Sequence, residues 1–190
     1  MFTQRNVVQK ISVRENILVG KIFVSLALAS LTGLLAGIRI PLPFTPVPLT
    51  GQVLGVLLCG LFQEGSFAAL SQTFYLLFGL GGIPWFAGWS SLSLLAFFAN
   101  PTSGYLVGFI PAAYLVGRLA NQGKRLNFPG LLLTFFAGIV IIYLFGALHL
   151  SLVLKTDFRK TLFLAVYPFI LFDFLKALLV ASFANVFCRR

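Results

Sequence analysis

Two charged side chains lie inside an apolar run near the C-terminal end of the sequence. Asp173 and Lys176 occur within residues 169–180, whose other members are aliphatic or aromatic. At spacing i,i+3 they share one face of a helix. A lone charge at the bilayer centre costs at least about 2.5–3.5 kcal/mol on insertion scales, so such charges usually pair, face a bundle interior or serve a polar ligand. We expect a ligand clamp, in which Lys176 neutralises an anion and Asp173 accepts hydrogen bonds from N–H donors. A structural ion pair and a proton relay are the alternatives.

Other polar groups and a row of small residues lie in further apolar runs. Gln52 and Tyr143 each by itself favours a packing hydrogen bond over a ligand contact. A stripe with an exact spacing of four residues, which permits close helix approach, consists of Ser25, Ala29, Gly33 and Gly37. Its partner is either a helix of the same chain or another subunit.

The inventory of catalytic groups is small. The sequence has no Gly-x-x-x-x-Gly-Lys-Ser/Thr motif, no Gly-x-Ser-x-Gly elbow and no His-Glu-x-x-His motif. His149 is the single histidine, and Cys59 and Cys188 do not form a metal cluster or a disulfide framework. We therefore expect no enzyme activity, no bound metal, no cofactor and no ATPase in this chain itself.

The elements that position these residues must be membrane helices. Of the 190 residues 59% are hydrophobic and 9% charged, the mean hydropathy is +0.99, and soluble domains carry about 25% charged residues. The net charge is +10, and the positively charged residues flank apolar runs. This arrangement is typical of proteins oriented in a membrane rather than of nucleic acid binding. The sequence predicts an all-α integral membrane protein in one membrane domain, 1–190, with an uncleaved first span. Its six predicted spans are 18–38, 51–63, 66–80, 104–120, 130–153 and 161–187, the last kinked or started by Pro168.

Two apolar segments cannot be regular helices. Residues 39–50 contain four prolines in the eight positions 41–48, and residues 79–100 are rich in glycine and aromatics and carry no charge. Irregular backbone at membrane depth is tolerated only where it is buried in protein or lines a cavity. With six spans both loops lie on one side, and we expect them to form the lid and wall of a pocket open to the outside. The alternative is that both rest in the lipid headgroups.

The distribution of Lys and Arg predicts the orientation. On one side of the six-span arrangement lie nine of the fourteen: Arg5, Lys10, Arg14, Lys21, Arg118, Lys124, Arg125, Arg189 and Arg190. Four lie on the other: Arg39, Lys155, Arg159 and Lys160. The richer side is expected to be cytoplasmic, which places both termini in the cytoplasm and the chain in the cell membrane, although residues 155–160 argue mildly against this.

Several segments in series resemble one transporter family. Residues 40–50 followed by Gln52 resemble the first loop of the BioY family, the biotin-specific substrate-binding (S) components of energy-coupling factor (ECF) transporters. Residues 80–88 resemble its glycine-aromatic loop and residues 101–108 the motif that opens its fourth helix. Residues 142–146 and 173–176 match later motifs in the same order, so the resemblance covers about residues 22–180.

The resemblance implies a six-helix S-component fold that captures biotin from outside. It also implies an energising module made of a membrane scaffold subunit and two ATPase subunits, onto which the small residues of the first helix would dock. It carries a role in ligand binding to Asp173 and Lys176. Together with the analysis of the residues, it gives the predicted substrate contacts Asp173, Lys176, Gln52, Phe44, Trp85, Phe86, Gly88, Ser90, Ser91, Asn100 and Tyr143.

The sequence departs from the family pattern at two places. Trp89-Ser90-Ser91 follows Gly88 where the family often has more glycines, and Asn100 stands where a glycine often precedes Pro-Thr. Other hypotheses are a vitamin transporter without an ATPase partner, a small membrane enzyme using Asp173 and Lys176 as acid and base, and a purely structural subunit.

Overall fold

The chain folds into a helical bundle with loops gathered at one end. A computed structural model describes residues 4–123 and 126–187, with side chains described from residue 16 onward. The long helices are α1 (Gln4–Ala36), α2 (Gln52–Phe62), α3 (Gly65–Leu80), α5 (Ser103–Ala120), α6 (Phe128–Leu154) and α8 (Ile170–Phe187). Shorter elements are β1 (Arg39–Ile40), β2 (Leu49–Thr50), α4 (Leu94–Ala99) and α7 (Phe158–Ala165). Cys188 and four of the charges used to predict orientation (Lys124, Arg125, Arg189 and Arg190) lie outside the described residues.

Four of the described helices are long and apolar enough to cross a membrane. They are Asn16–Ala36 within α1, and α5, α6 and α8. The 11 residues of α2 and the 16 of α3 rise about 16 Å and 24 Å, less than the roughly 30 Å hydrocarbon core. The chain is thus a multi-pass helical membrane protein in which two of the apolar helices are short.

The fifth helix lies at the centre of the bundle and contacts α2, α3 and α6. Small residues allow these helices to approach closely. A Cβ atom at Gly117 of α5 would lie 2.7 Å from the Gln63 carbonyl oxygen, and one at Gly65 would lie 2.7 Å from that of Tyr114. Because lipid supplies little hydrophobic drive between helices, such close packing is a main source of their association.

The small-residue stripe of α1 packs inside the same chain. The Ser25 hydroxyl donates to the Phe67 carbonyl of α3 at 3.2 Å, and Ala29 is fully buried. A Cβ atom at Gly33 would lie 2.8 Å from Trp85 Cε3, and one at Gly37 would meet the ring of Trp89. This face of α1 is therefore already covered, as in the same-chain alternative. A partner subunit that docked on these four positions would have to displace both tryptophans.

The last predicted span, 161–187, is two helices. α7 ends at Ala165 and α8 begins at Ile170, with Pro168 between them. Proline has no N–H for the carbonyl four residues earlier, so the Leu164 carbonyl lacks a helical donor and accepts from the Thr45 hydroxyl at 2.7 Å instead. The next carbonyl, that of Ala165, accepts from the Tyr105 hydroxyl at 2.6 Å. The break thus binds both the proline-rich segment and α5.

The two irregular segments lie at the same end of the bundle. Strands β1 and β2 pair antiparallel, with Arg39 opposite Thr50, and close the proline-rich segment into a loop. The Gly88 amide donates to the Ala36 carbonyl at the end of α1 at 3.0 Å, which brings the glycine-aromatic segment beside that loop. Helix α4, capped by the Ser93 hydroxyl, is a short element of that segment that the sequence did not predict.

Candidate ligand-binding site

In the charged pair of α8, Asp173 is buried and bonded to α6, and Lys176 is partly buried. Lys176 Nζ lies 2.6 Å from Asp173 Oδ1, and the two side chains are 17% and 4% exposed. The Tyr143 hydroxyl donates to the other carboxylate oxygen, Oδ2, at 2.7 Å. Each carboxylate oxygen has about two lone-pair sites and an ammonium group has three N–H donors. The pair therefore keeps spare acceptors on Asp173 and spare donors on Lys176 for a ligand.

A cavity opens beside this pair, beneath the two loops. It encloses about 180 Å³ between α2, α5, α6, α8 and the loop segments. The lining residues whose side chains are polar or charged are Arg39, Thr50, Gln52, Ser90, Asn100, Thr102, Tyr105, Tyr143, Asp173 and Lys176. Apolar walls include Val47, Phe86, Leu106, Phe109 and Ile142. Apolar walls combined with convergent polar groups that can fix a ligand's orientation are typical of a small-molecule site, and this cavity is about evenly divided between the two kinds of residue.

The polar residues of the wall are held by neighbours in different ways. Gln52 donates to the Tyr75 hydroxyl at 2.6 Å and accepts from Thr50 at 2.8 Å, so its amide is largely committed to packing. Asn100 accepts through Oδ1 from the amide and the hydroxyl of Thr102 at 3.0 and 2.9 Å. Its side-chain N–H groups bond to none of the described residues, which leaves them as donors at the cavity.

Phe86 is the loop aromatic that reaches the cavity. It is 2% exposed, packs edge-on against Tyr75 and lies on Gly79 of α3, where a Cβ atom would overlap its ring. Trp85 does not line the cavity: its Nε1 donates to the Tyr75 carbonyl at 2.8 Å, and its ring packs on Gly33. The two adjacent aromatics therefore face different parts of the molecule.

The structure divides the predicted contacts into two sets. The cavity wall includes Asp173, Lys176, Gln52, Phe86, Ser90, Asn100 and Tyr143. The other four, Phe44, Trp85, Gly88 and Ser91, are not among the lining residues. Phe44 is 50% exposed and tilts against Phe163 of α7 at 6.3 Å, because the proline-rich loop turns that side chain outward.

Several cavity residues were absent from the predicted set, and the polar or charged ones among them are Arg39, Thr50, Thr102 and Tyr105. Arg39 lies directly before the proline-rich loop, and this position in the sequence indicates that it could reach the site beneath that loop. Tyr105 lies inside the 101–108 motif, and its role at the α7–α8 break depends on a contact 60 residues away. Long-range contacts of this kind are invisible to local patterns.

Trp89 follows Gly88 in a strained turn at the edge of the site. Its φ is 61°, in the left-handed region that is a true outlier for a bulky residue. The paired Phe86 and Ser90 backbones, which exchange hydrogen bonds of 2.8 and 3.4 Å, enclose the turn. A glycine, which the family often has at this place, would adopt that backbone freely. In this chain the tryptophan takes the same conformation, and its ring packs on Gly37 of α1.

The fold and the cavity define a multi-pass helical membrane protein with a binding site for a small molecule that carries hydrogen-bonding groups. Comparison with known proteins gives the family. The chain belongs to the BioY family, whose profile matches residues 6–190.

Relatives named as biotin transporters align over most of their length. The chain is 34% identical over 151 residues to the biotin transporter BioY of Thermotoga maritima, covering 80% of this chain and 86% of the relative. It is 37% identical over 153 residues to the biotin transporter BioY of Rhizobium etli, covering 75% and 78%. The fold matches the 2.1 Å crystal structure of the S-component for biotin from an ECF-type ABC transporter. The TM-score is 0.82 at 23% identity, over 92% of this chain and 94% of that one.

Proposed function

We propose that this chain is the biotin-binding component of a vitamin uptake transporter and is not an enzyme. The observation that carries the proposal is the Asp173–Lys176 pair, whose buried carboxylate is bonded to Tyr143 and which lines a cavity beneath two loops. Membership of the BioY family and the names of the relatives support biotin as the ligand.

The chemistry of the pair suits a cyclic urea. The ureido group of biotin has two N–H donors and one carbonyl acceptor, and the pair offers the reverse: carboxylate lone pairs on Asp173 and ammonium N–H groups on Lys176. Hydrogen bonds to charged groups are each worth about 1.5–3 kcal/mol. Phe86 and the aliphatic wall would cover the apolar bicycle and chain.

The direction of capture and the partner module belong to the same proposal. We infer six membrane-crossing segments, with the short α2 and α3 completed by the loops at their ends, both termini in the cytoplasm and the cavity facing outward. The charge distribution and the position of both loops at one end support this orientation. The S-component neighbour supports assembly with a scaffold subunit and two ATPase subunits. Because the chain itself covers its small-residue stripe, docking would use other faces of α1.

Biotin binding by the purified protein tests the proposal. We expect Asp173→Asn and Lys176→Met each to weaken biotin binding at least about tenfold, because each removes charged hydrogen bonds to the ligand. The measurement is isothermal titration calorimetry in detergent, with size-exclusion chromatography to verify folding.

A second ion pair of the same chain supplies a matched control. Lys21 and Glu64 lie 2.8 Å apart, are 38% and 64% exposed and do not line the cavity. Lys21→Met should leave biotin affinity unchanged. Wild-type affinity in both α8 variants would refute the assignment of the site. Uptake of radiolabelled biotin that survives ATP depletion would instead favour a transporter without ATPase partners.

A further inference from the structure

The cavity carries one more positive charge than negative. Asp173 is the acidic residue of its wall, and Lys176 and Arg39 are the basic ones. Lys176 lies against Asp173 at 2.6 Å, so these two charges largely cancel. Arg39 is thus the cation whose charge remains for a ligand.

No acidic side chain of the described region neutralises Arg39. The ion pairs among residues 16–123 and 126–187 are Lys21–Glu64 and Lys176–Asp173. Asp157 forms no ion pair there either. The remaining acid of the sequence, Glu15, precedes the end of α1 at Ala36 by 21 residues, which is about 31 Å of helix rise.

Two elements place the Arg39 side chain at the loop end of the cavity. Its backbone is fixed in β1, opposite Thr50 of β2, directly after α1. The glycine-aromatic loop lies over its side chain: a Cβ atom at Gly88 would be 2.7 Å from Arg39 Cδ and 3.1 Å from Nη1. Gly88 also has a φ of 75°, so both its conformation and its lack of a side chain permit this approach.

We propose that Arg39 binds the carboxylate of the ligand and thereby fixes its direction in the cavity. This rests on the proposed function. The ureido ring then lies against Asp173 and Lys176, and the carboxylate lies under the loops beside Arg39. A guanidinium group presents a planar fork of donors that matches a carboxylate and holds it with two parallel hydrogen bonds. The site is therefore selective for ligands with a free carboxylate, and Lys176 donates to the ureido ring rather than to the carboxylate.

The test compares biotin with biotinamide, which keeps the ring and chain but lacks the negative charge. Wild-type protein should bind biotin at least about tenfold more tightly than biotinamide. In Arg39→Gln the affinity for biotin should fall to about that for biotinamide, while biotinamide binding changes less than about threefold. Arg39→Lys should keep part of the preference, because it retains the charge without the fork.

Two controls separate direct contact from general effects. Arg159→Gln removes an exposed positive charge at the same end, outside the cavity wall, and should leave the ratio of the two affinities unchanged. Thermal unfolding in detergent verifies that the Arg39 variants fold. Equal losses of biotin and biotinamide affinity in Arg39→Gln, or no preference in the wild type, would overturn the inference. Wild-type protein that binds neither compound would instead overturn the proposed function.

Discussion

At the level of single residues, the carboxylate of Asp173 connects the polar side chains of the site. One of its oxygens accepts from Lys176 on its own helix and the other from Tyr143 on α6. The residue is 3% exposed, and a buried charge is tolerated only when paired and hydrogen-bonded. Tyr143 therefore both stabilises the carboxylate and fixes its orientation toward the cavity.

Tyr143→Phe removes this orienting bond and keeps the ring. We expect biotin affinity to fall roughly tenfold, since hydrogen bonds to charged groups contribute about 1.5–3 kcal/mol and only part of that is transmitted to the ligand. Titration calorimetry on the purified variant measures it, and the loss should be smaller when Asp173 is already Asn, because the two residues act as one unit.

Tyr114→Phe provides the comparison for this variant. Tyr114 is on α5, is 40% exposed and does not line the cavity. The Tyr114→Phe variant should bind biotin as tightly as the wild type. If Tyr143→Phe also binds as tightly as the wild type, the tyrosine does not orient the carboxylate.

Among the elements, the break between α7 and α8 organises the loop end of the bundle. Pro168 interrupts the helical bonding, and the freed carbonyls of Leu164 and Ala165 accept from Thr45 and Tyr105. A proline that would only weaken an isolated helix thus creates two acceptors for distant elements. The proline-rich loop is held over the cavity by the first of these bonds.

Thr45→Val should loosen that loop without changing the side-chain shape. The variant leaves the partly buried Leu164 carbonyl without its donor and the Val47 N–H without the hydroxyl that accepts from it, and a polar group left unpaired on burial costs about 1–3 kcal/mol. We expect biotin to dissociate roughly tenfold faster, measured by stopped-flow or filter-binding chase. Thr45→Ser keeps the hydroxyl and should dissociate at nearly the wild-type rate. Equal dissociation rates for valine and wild type would mean that the bond does not hold the loop closed.

For the whole molecule, the two ends of the bundle differ in construction. One end contains the Lys21–Glu64 pair and the Asn121 side chain, which donates to the carbonyls of Gly60, Gln63 and Gly117 at 2.9–3.0 Å. The other contains the two loops and the basic residues between 155 and 160. The sequence predicts that the excess of Lys and Arg lies at the first end, which is why we infer that this end faces the cytoplasm.

Single cysteines report this orientation directly. In a Cys188→Ser background, where the remaining Cys59 is fully buried, Lys160→Cys should react with a membrane-impermeant maleimide in intact cells. Arg118→Cys, exposed at the opposite end, should react only after permeabilisation. Labelling with the reverse accessibility would show that the cavity opens to the cytoplasm.

Local chemistry was sufficient for the membrane class, the irregular loops and the charged pair of α8. Each depends on a short stretch of chain. The length of an apolar run predicts a membrane helix, and the prolines in 41–48 exclude a regular helix there. Two charges within an apolar helix are expected to pair or to bind a ligand. Helical residues of the structure lie within each predicted span, and four of the described helices are long and apolar enough to cross a membrane; the count of six crossings stays a prediction. The family resemblance, also local, was confirmed by the comparisons.

The composition of the cavity wall required the folded arrangement. Phe86 and Trp85 are adjacent in sequence, yet one lines the cavity and the other packs on Gly33, because an irregular loop has no periodicity from which a facing direction can be read. The bond from Thr45 spans 119 residues and that from Tyr143 spans 30. Periodicity tells which residues share a face of one helix, whereas the element that covers that face is chosen by packing across the whole chain. The positions of Arg39, Tyr143 and the small-residue stripe were therefore settled by tertiary contacts.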